Sequence, residues 1–188
     1  MKQIAKSLLL YLFSILIVAC STQRYSVKNS HSSYKHNYAL SESGKLKVKI
    51  PAGWFKARDN DKKLIDLWLV KDDYLASIKF IPIVIHNSLS SNNESAVSYS
   101  KTYIKTSLGR DFKKFITETE NELNSKKVSF YKIMLNDERI FRCAVFEKGN
   151  SYYECILNYV NPLTNEEINE LFKIQNEVII NLIPGQVL

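Results

Sequence analysis

Histidine is scarce in this chain: 188 residues hold three, and only His86 lies beyond the polar N-terminal region. A catalytic triad built on histidine therefore has one candidate base and no partner suggested by spacing. There is no Gly-x-Ser-x-Gly elbow, no His-Glu-x-x-His pair, no glycine loop to cradle phosphates and no calcium-loop pattern. Cysteine is also sparse, with three residues and no Cys-x-x-Cys, the usual form of a reactive redox pair. No apolar run reaches the roughly 20 residues needed to span a bilayer. These absences leave hydrolase, metalloprotease, nucleotide-binding and redox readings without support, and the expectation is a protein that is not an enzyme and carries no cofactor or metal.

What is present is enough for one ordinary folded domain. Hydrophobic residues make up 45% and charged residues 24%, close to globular averages, so a packed core is expected and wholesale disorder is not. The first twenty residues stand apart. Lys2 and Lys6 give a positive start, Ser7 to Val18 is uncharged and apolar, and small Ala19 precedes Cys20. That is the layout of a secretory signal, and the apolar run is too short to remain as a spanning helix.

Ile17-Val18-Ala19-Cys20 resembles the lipobox of bacterial lipoproteins, with Ile17 in place of the commoner leucine. The resemblance implies cleavage after residue 19, diacylglycerol on Cys20 and a place in the bacterial cell envelope. Ser21 implies transfer to the outer membrane, facing the periplasm. Acyl chains gain about 0.8 kcal/mol per buried methylene, so several on one residue anchor durably. Loss of residues 1–19 removes Lys2 and Lys6 and no acid, which lowers the formal charge from +7 to +5. Export makes nucleic acid an unexpected partner, and with no long basic run the positive charge reads mainly as a solvated surface.

Residues 20–44 are polar and aperiodic, as expected of a tether between lipid and domain. His31 and His36 lie within it, without the acid or thiol companions of a metal site. Residues 45–188 are expected to form a single domain. Leu46, Val48 and Ile50 alternate with Lys45, Lys47 and Lys49, the period of a strand with one buried face, and Pro51-Ala52-Gly53 turns it before Trp54. Apolar runs at Leu64 to Val70 and Leu75 to Ile85, joined by Lys71-Asp72-Asp73-Tyr74, predict a hairpin. Asp66 and His86 touch these runs, and both are expected on the sheet's wetter face. Helix formers over Glu94 to Leu108, with Val97, Ile104 and Leu108 apolar, end at Gly109.

Residues 112–122 are read as a strand, since Thr117 and Thr119 favour extended chain. Glu118, Glu120 and Glu122 would then share a solvated face. Strands at Lys127 to Leu135, Ile140 to Glu147 and Tyr152 to Tyr159, with turns at Asn136-Asp137 and Gly149-Asn150, predict an antiparallel meander. The last helix opens on a Thr164/Glu167 capping box and lines up Ile168, Leu171, Phe172, Gln175, Val178, Ile179 and Leu182. Pro184-Gly185 closes it.

The order strands, helix, antiparallel strands, helix defines an α/β (α+β) domain, an antiparallel sheet layered with helices. Leu46-Lys47-Val48-Lys49-Ile50-Pro51-Ala52-Gly53-Trp54 and the closing helix from Thr164 to Leu182 resemble the PsbP-like family, whose bacterial members include small exported lipoproteins. The shared motif is a turn and packing signature, so the resemblance implies an accessory or binding role without a catalytic residue.

Cys143 and Cys155 fall on adjacent strands. A three-residue loop Lys148-Gly149-Asn150 would set them opposite each other at about 4.5–5.5 Å, within disulfide reach, and an oxidising compartment favours that bond. A two-residue turn would send one thiol to the other face and leave two buried thiols. The disulfide is the expectation. Functionally, two readings stand. The first is a membrane-anchored accessory module that meets an envelope protein through a sheet face or through Tyr152, Tyr153 and Tyr159. The second is a carrier of small molecules or lipids with a pocket between sheet and helix.

Overall fold

The computed structural model describes residues 38–58, 64–84, 93–117, 121–123, 126–160 and 163–184. The strands are β1 (Tyr38–Leu40), β2 (Leu46–Lys49), β3 (Trp54–Ala57), β4 (Leu67–Lys71) and β5 (Ala76–Ile83), followed by helix α1 (Asn93–Leu108). Then come β6 (Phe112–Thr117), β7 (Asn121–Leu123), β8 (Lys126–Leu135), β9 (Ile140–Lys148), β10 (Ser151–Tyr159), helix α2 (Asn165–Ile180) and β11 (Ile183–Pro184). The main sheet is eight-stranded and antiparallel, in the order β3-β4-β5-β10-β9-β8-β6, with β7 also paired to β8. A separate three-stranded sheet has the order β1-β2-β11. The α+β class expected from the sequence is the one observed.

Strand alternation divides the interior in two. On one face of the main sheet, Phe80, Phe146, Val128, Cys155 and Leu157 pack with Leu171, Val178 and Ile179 of α2, and with Ala39, Leu46 and Val48 of the small sheet. On the other face, Ala96 and Ile104 of α1 meet Tyr131, Ile133, Leu135, Cys143 and Val145. Residues 143–146 of β9 are buried without a break, because this strand is covered on both sides. In β5 the residues facing α1's side, Ser77, Lys79 and Ile81, are only half-buried, so its pattern alternates.

The local signals explain the joints. Gly53, at φ +73°, closes the turn in which the Trp54 amide donates to the Pro51 carbonyl at 3.2 Å, and the Trp54 side chain enters the core at 6% exposure. The α2 capping box is complete: the Glu167 amide donates to Thr164 Oγ1 at 3.3 Å, and the Thr164 amide donates to Glu167 Oε2 at 2.7 Å, an arrangement worth about 1 kcal/mol. After α2, the backbone of Ile183 and Pro184 pairs with Lys47 and Leu46, so the C-terminal strand closes the sheet that β1 opens. The folded unit therefore reaches back to Tyr38, inside the segment expected to be tether. Three residues are too few to show a period, and β1 left no signal in the pattern.

Candidate functional site

Beneath α1, three polar side chains from three elements converge. Ser100, Tyr131 and Glu154 are 1%, 1% and 2% exposed. Ser100 Oγ donates to Glu154 Oε1 at 2.5 Å, Tyr131 Oη donates to the same oxygen at 2.9 Å, and the two hydroxyl groups lie 2.5 Å apart. Burial raises the Glu154 carboxyl above the ordinary range, while the bonds from Ser100 and Tyr131 pull the other way. Burial also pushes the Tyr131 phenol and the Cys143 thiol beside it upward. Each shift favours the neutral form. The cluster therefore offers a carboxyl, a phenol and a thiol that burial shifts toward their neutral forms, and it ties α1 to the sheet.

Beneath α2 the buried group is Arg142, 5% exposed. Its Nη1 donates to Gln175 Oε1 at 3.0 Å, to Asn176 Oδ1 at 2.9 Å and to the Phe172 carbonyl at 3.4 Å. The guanidinium carbon stands 3.9 Å from the Phe130 ring centroid and 4.7 Å from that of Phe172, so the cation is held between ring faces. Gln175 Nε2 in turn donates to the Cys155 carbonyl at 2.9 Å. Gln175 thus earns its fully buried place on the helix stripe by joining helix, guanidinium and strand backbone.

The expected disulfide is not formed: Cys143 and Cys155 are buried free thiols. Lys148 pairs with Ser151, leaving the two-residue turn Gly149-Asn150, so Cys155 stands opposite Ala144 and Cys143 opposite Ile156. One residue of register puts the sulfurs on opposite faces of the sheet, Cys143 under α1 and Cys155 under α2. Burial pushes the Cys155 thiol up to about 12. Asp66 also departs from expectation. It is 6% exposed, and its two oxygens accept from the Ser43 amide at 2.7 Å and the Ser43 hydroxyl at 2.8 Å, which pins the β1–β2 connection to the main sheet.

Tyr153 and Tyr159 belong to the core beside α2, and Tyr152 packs half-buried on the α1 side, so the last hairpin does not present these three as one outer patch. Glu122 is exposed on β7, opposite Lys127. Cys20, His31, His36, His86, Glu118 and Glu120 lie outside the described residues. Among the described residues, no three or more His, Cys, Asp or Glu side chains could hold a metal ion.

Large apolar side chains are exposed at several places among the described residues, Tyr99 and Tyr103 on α1 included, and two surfaces combine neighbouring strands. At the β4–β5 tip, Tyr74 and Leu75 are 51% and 41% exposed, with Val160 beside them at 54%, its amide donating to the Leu75 carbonyl at 2.9 Å. Tyr74 sits at φ +62°, unusual for a bulky residue, and its ring packs edge-on against Phe55 at 5.8 Å. The second surface is the outer face of the small sheet. Lys47 and Lys49 project outward from β2, while Leu46 and Val48 turn inward.

Neither a known family profile nor a curated protein matches this chain. Solved structures do share its fold. It is similar to cyanobacterial PsbP (CyanoP) from Synechocystis sp. PCC 6803, with a TM-score of 0.51 and 12% identity over 78% of this chain and 91% of that one. A crystal structure from Bacteroides thetaiotaomicron VPI-5482 aligns with a TM-score of 0.47 and 12% identity over 80% of this chain and 49% of the other. The fold is thus α+β and PsbP-like, in agreement with the opening motif that ends at Trp54.

Proposed function

We propose that the protein is an envelope lipoprotein, held to a membrane by lipid on Cys20, whose folded domain acts by contact as a non-catalytic accessory module. The observation that carries this reading is where the apolar and polar groups lie. Arg142, Gln175, Phe130 and Phe172 stand between sheet and α2, where a carrier would hold its cargo. Burial pushes the Glu154 carboxyl, the Tyr131 phenol and the two thiols toward their neutral forms, which does not favour turnover. Apolar side chains instead stand outside at the β4–β5 tip, Tyr74, Leu75 and Val160, and exposed aromatic and aliphatic clusters are the surfaces proteins use for partners.

Intact mass of protein taken from native membranes tests the anchor. The expected species begins at Cys20 and carries acyl chains; a chain that keeps residues 1–19, or is cut elsewhere without lipid, would overturn it. The contact surface is tested in cells with a photo-crosslinker at Leu75, compared with one at Thr102 on the exposed side of α1. A discrete envelope-protein adduct from Leu75 alone is the expected result. Equal adducts, or none from Leu75, would remove the tip as the contact.

A further inference from the structure

We propose that the outer face of the small sheet, with Lys45, Lys47 and Lys49 and the flanking Tyr38 and Leu40, lies against an anionic lipid bilayer. This deepens the membrane-anchored reading above and rests on it. In β2 the inward residues Leu46 and Val48 are fully buried and Lys47 and Lys49 are exposed, with Lys45 exposed just before them. Across the ladder, Tyr38 faces Lys49 and Leu40 faces Lys47. These two are 42% and 44% exposed, and the Lys47 ammonium lies 5.0 Å from the Tyr38 ring centroid. The face thus joins ammonium groups, which seek headgroup phosphates and carboxylates, to an amphipathic ring and an aliphatic chain suited to the headgroup boundary.

Among the described residues, no acid is paired with it. Glu42, the nearest carboxylate along the chain, is engaged 2.7 Å from Lys56, whose ammonium also donates to the Leu40 carbonyl at 2.7 Å. Asp66 is turned inward onto Ser43. The ion pairs at Lys56, Lys71, Lys113 and Arg139 involve none of the three lysines. Connectivity adds a second argument. Tyr38, the first residue of β1, follows Cys20 by eighteen positions, so this sheet begins within about 65 Å of the lipid even at full extension. The strand nearest the anchor along the chain belongs to the sheet that carries these three lysines. Attraction to an anionic surface amounts to about fivefold per lysine, roughly a hundredfold for three, and fades beyond a Debye length of about 8 Å at physiological salt.

The test is amine acetylation read by mass spectrometry on the full protein, mixed with vesicles of phosphatidylglycerol and phosphatidylcholine or of phosphatidylcholine alone. The expected result is that Lys45, Lys47 and Lys49 label at least about fivefold more slowly on the anionic vesicles, while Lys113 on the far edge strand β6 keeps its rate. High salt should restore labelling, and Lys47→Gln with Lys49→Gln should release Lys45 as well. Equal labelling on both vesicle types would overturn the proposal, even if the same sample carries acyl chains on Cys20. Vesicles can be added whether or not the chain is acylated. A missing acyl mass would therefore sink the anchor alone, and the lysine rates would still decide the face.

Discussion

Under α1 the main sheet buries Glu154 against two hydroxyl groups, whereas under α2 it buries Arg142 against two side-chain amides, a carbonyl and two aromatic rings. The difference follows from what each group can become. A carboxyl can take up a proton and enter the interior neutral, with hydroxyl partners sufficing for the rest. A guanidinium cannot discharge at any accessible pH, so it needs acceptors and ring faces wherever it is buried. The α1 layer is accordingly fastened by groups whose charge depends on pH, and the α2 layer by a charge that does not vary.

The largest effect is expected on the α2 side. Gln175→Leu removes an acceptor from Arg142 and the donor to the Cys155 carbonyl, leaving a buried cation and a backbone group short of partners. A cost of about 1–3 kcal/mol is expected in urea denaturation. Gln175→Glu, which restores an acceptor and adds a charge partner, should recover part of the loss. If Gln175→Leu costs less than about 1 kcal/mol, the guanidinium has other means of satisfaction and the contrast between the layers fails.

On the α1 side the effect is smaller and depends on pH. Burial raises the Glu154 carboxyl above the ordinary glutamate range, so the unfolded chain releases this proton at lower pH than the folded one. Stability from this group is complete below the unfolded value and is lost as pH rises through the folded one. Stability curves measured from pH 4 upward should fall for the native protein relative to Glu154→Gln, whose amide oxygen still accepts from Ser100 and Tyr131. The gap should grow by about 1.4 kcal/mol for each unit by which the carboxyl is raised. Parallel curves would mean the carboxyl is not raised, and the two layers would then not differ in pH response.

Much of this architecture could be read from residue periodicity, and the exceptions have physical causes. Several elements announced themselves: the alternation of Leu46, Val48 and their lysines, the apolar runs at Leu64 to Val70 and Leu75 to Ile85, and the capped stripe of α2 from Thr164. Short ones did not. β1 and β11 have three and two residues and are specified by backbone pairing to β2, which has no sequence period. The fate of Cys143 and Cys155 depended on a single residue in the turn at Gly149-Asn150, and that residue decides the face of every side chain after it. Both buried clusters unite distant positions, with Ser100 and Glu154 separated by 54 residues. The available signal was local: Arg142 and Glu154 each stand in the middle of a strand among apolar neighbours, where a charge must find partners or a proton.

Because the register places one thiol under each layer, Cys143 and Cys155 can report on the two layers separately. Without reductant, both should resist alkylation in the folded protein and each take up one adduct once it is unfolded, since neither is bonded to the other. Thr164→Ala removes the capping-box hydroxyl of α2 at a cost of about 1 kcal/mol. If α2 opens as its own unit, Cys155 should be alkylated about fivefold faster, the ratio equivalent to that energy, while Cys143 keeps its native rate. Equal acceleration at both sulfurs would show that α1, the sheet and α2 open together as one cooperative unit. In that case the different fastenings of the two faces would set how stable the domain is without setting which layer yields first.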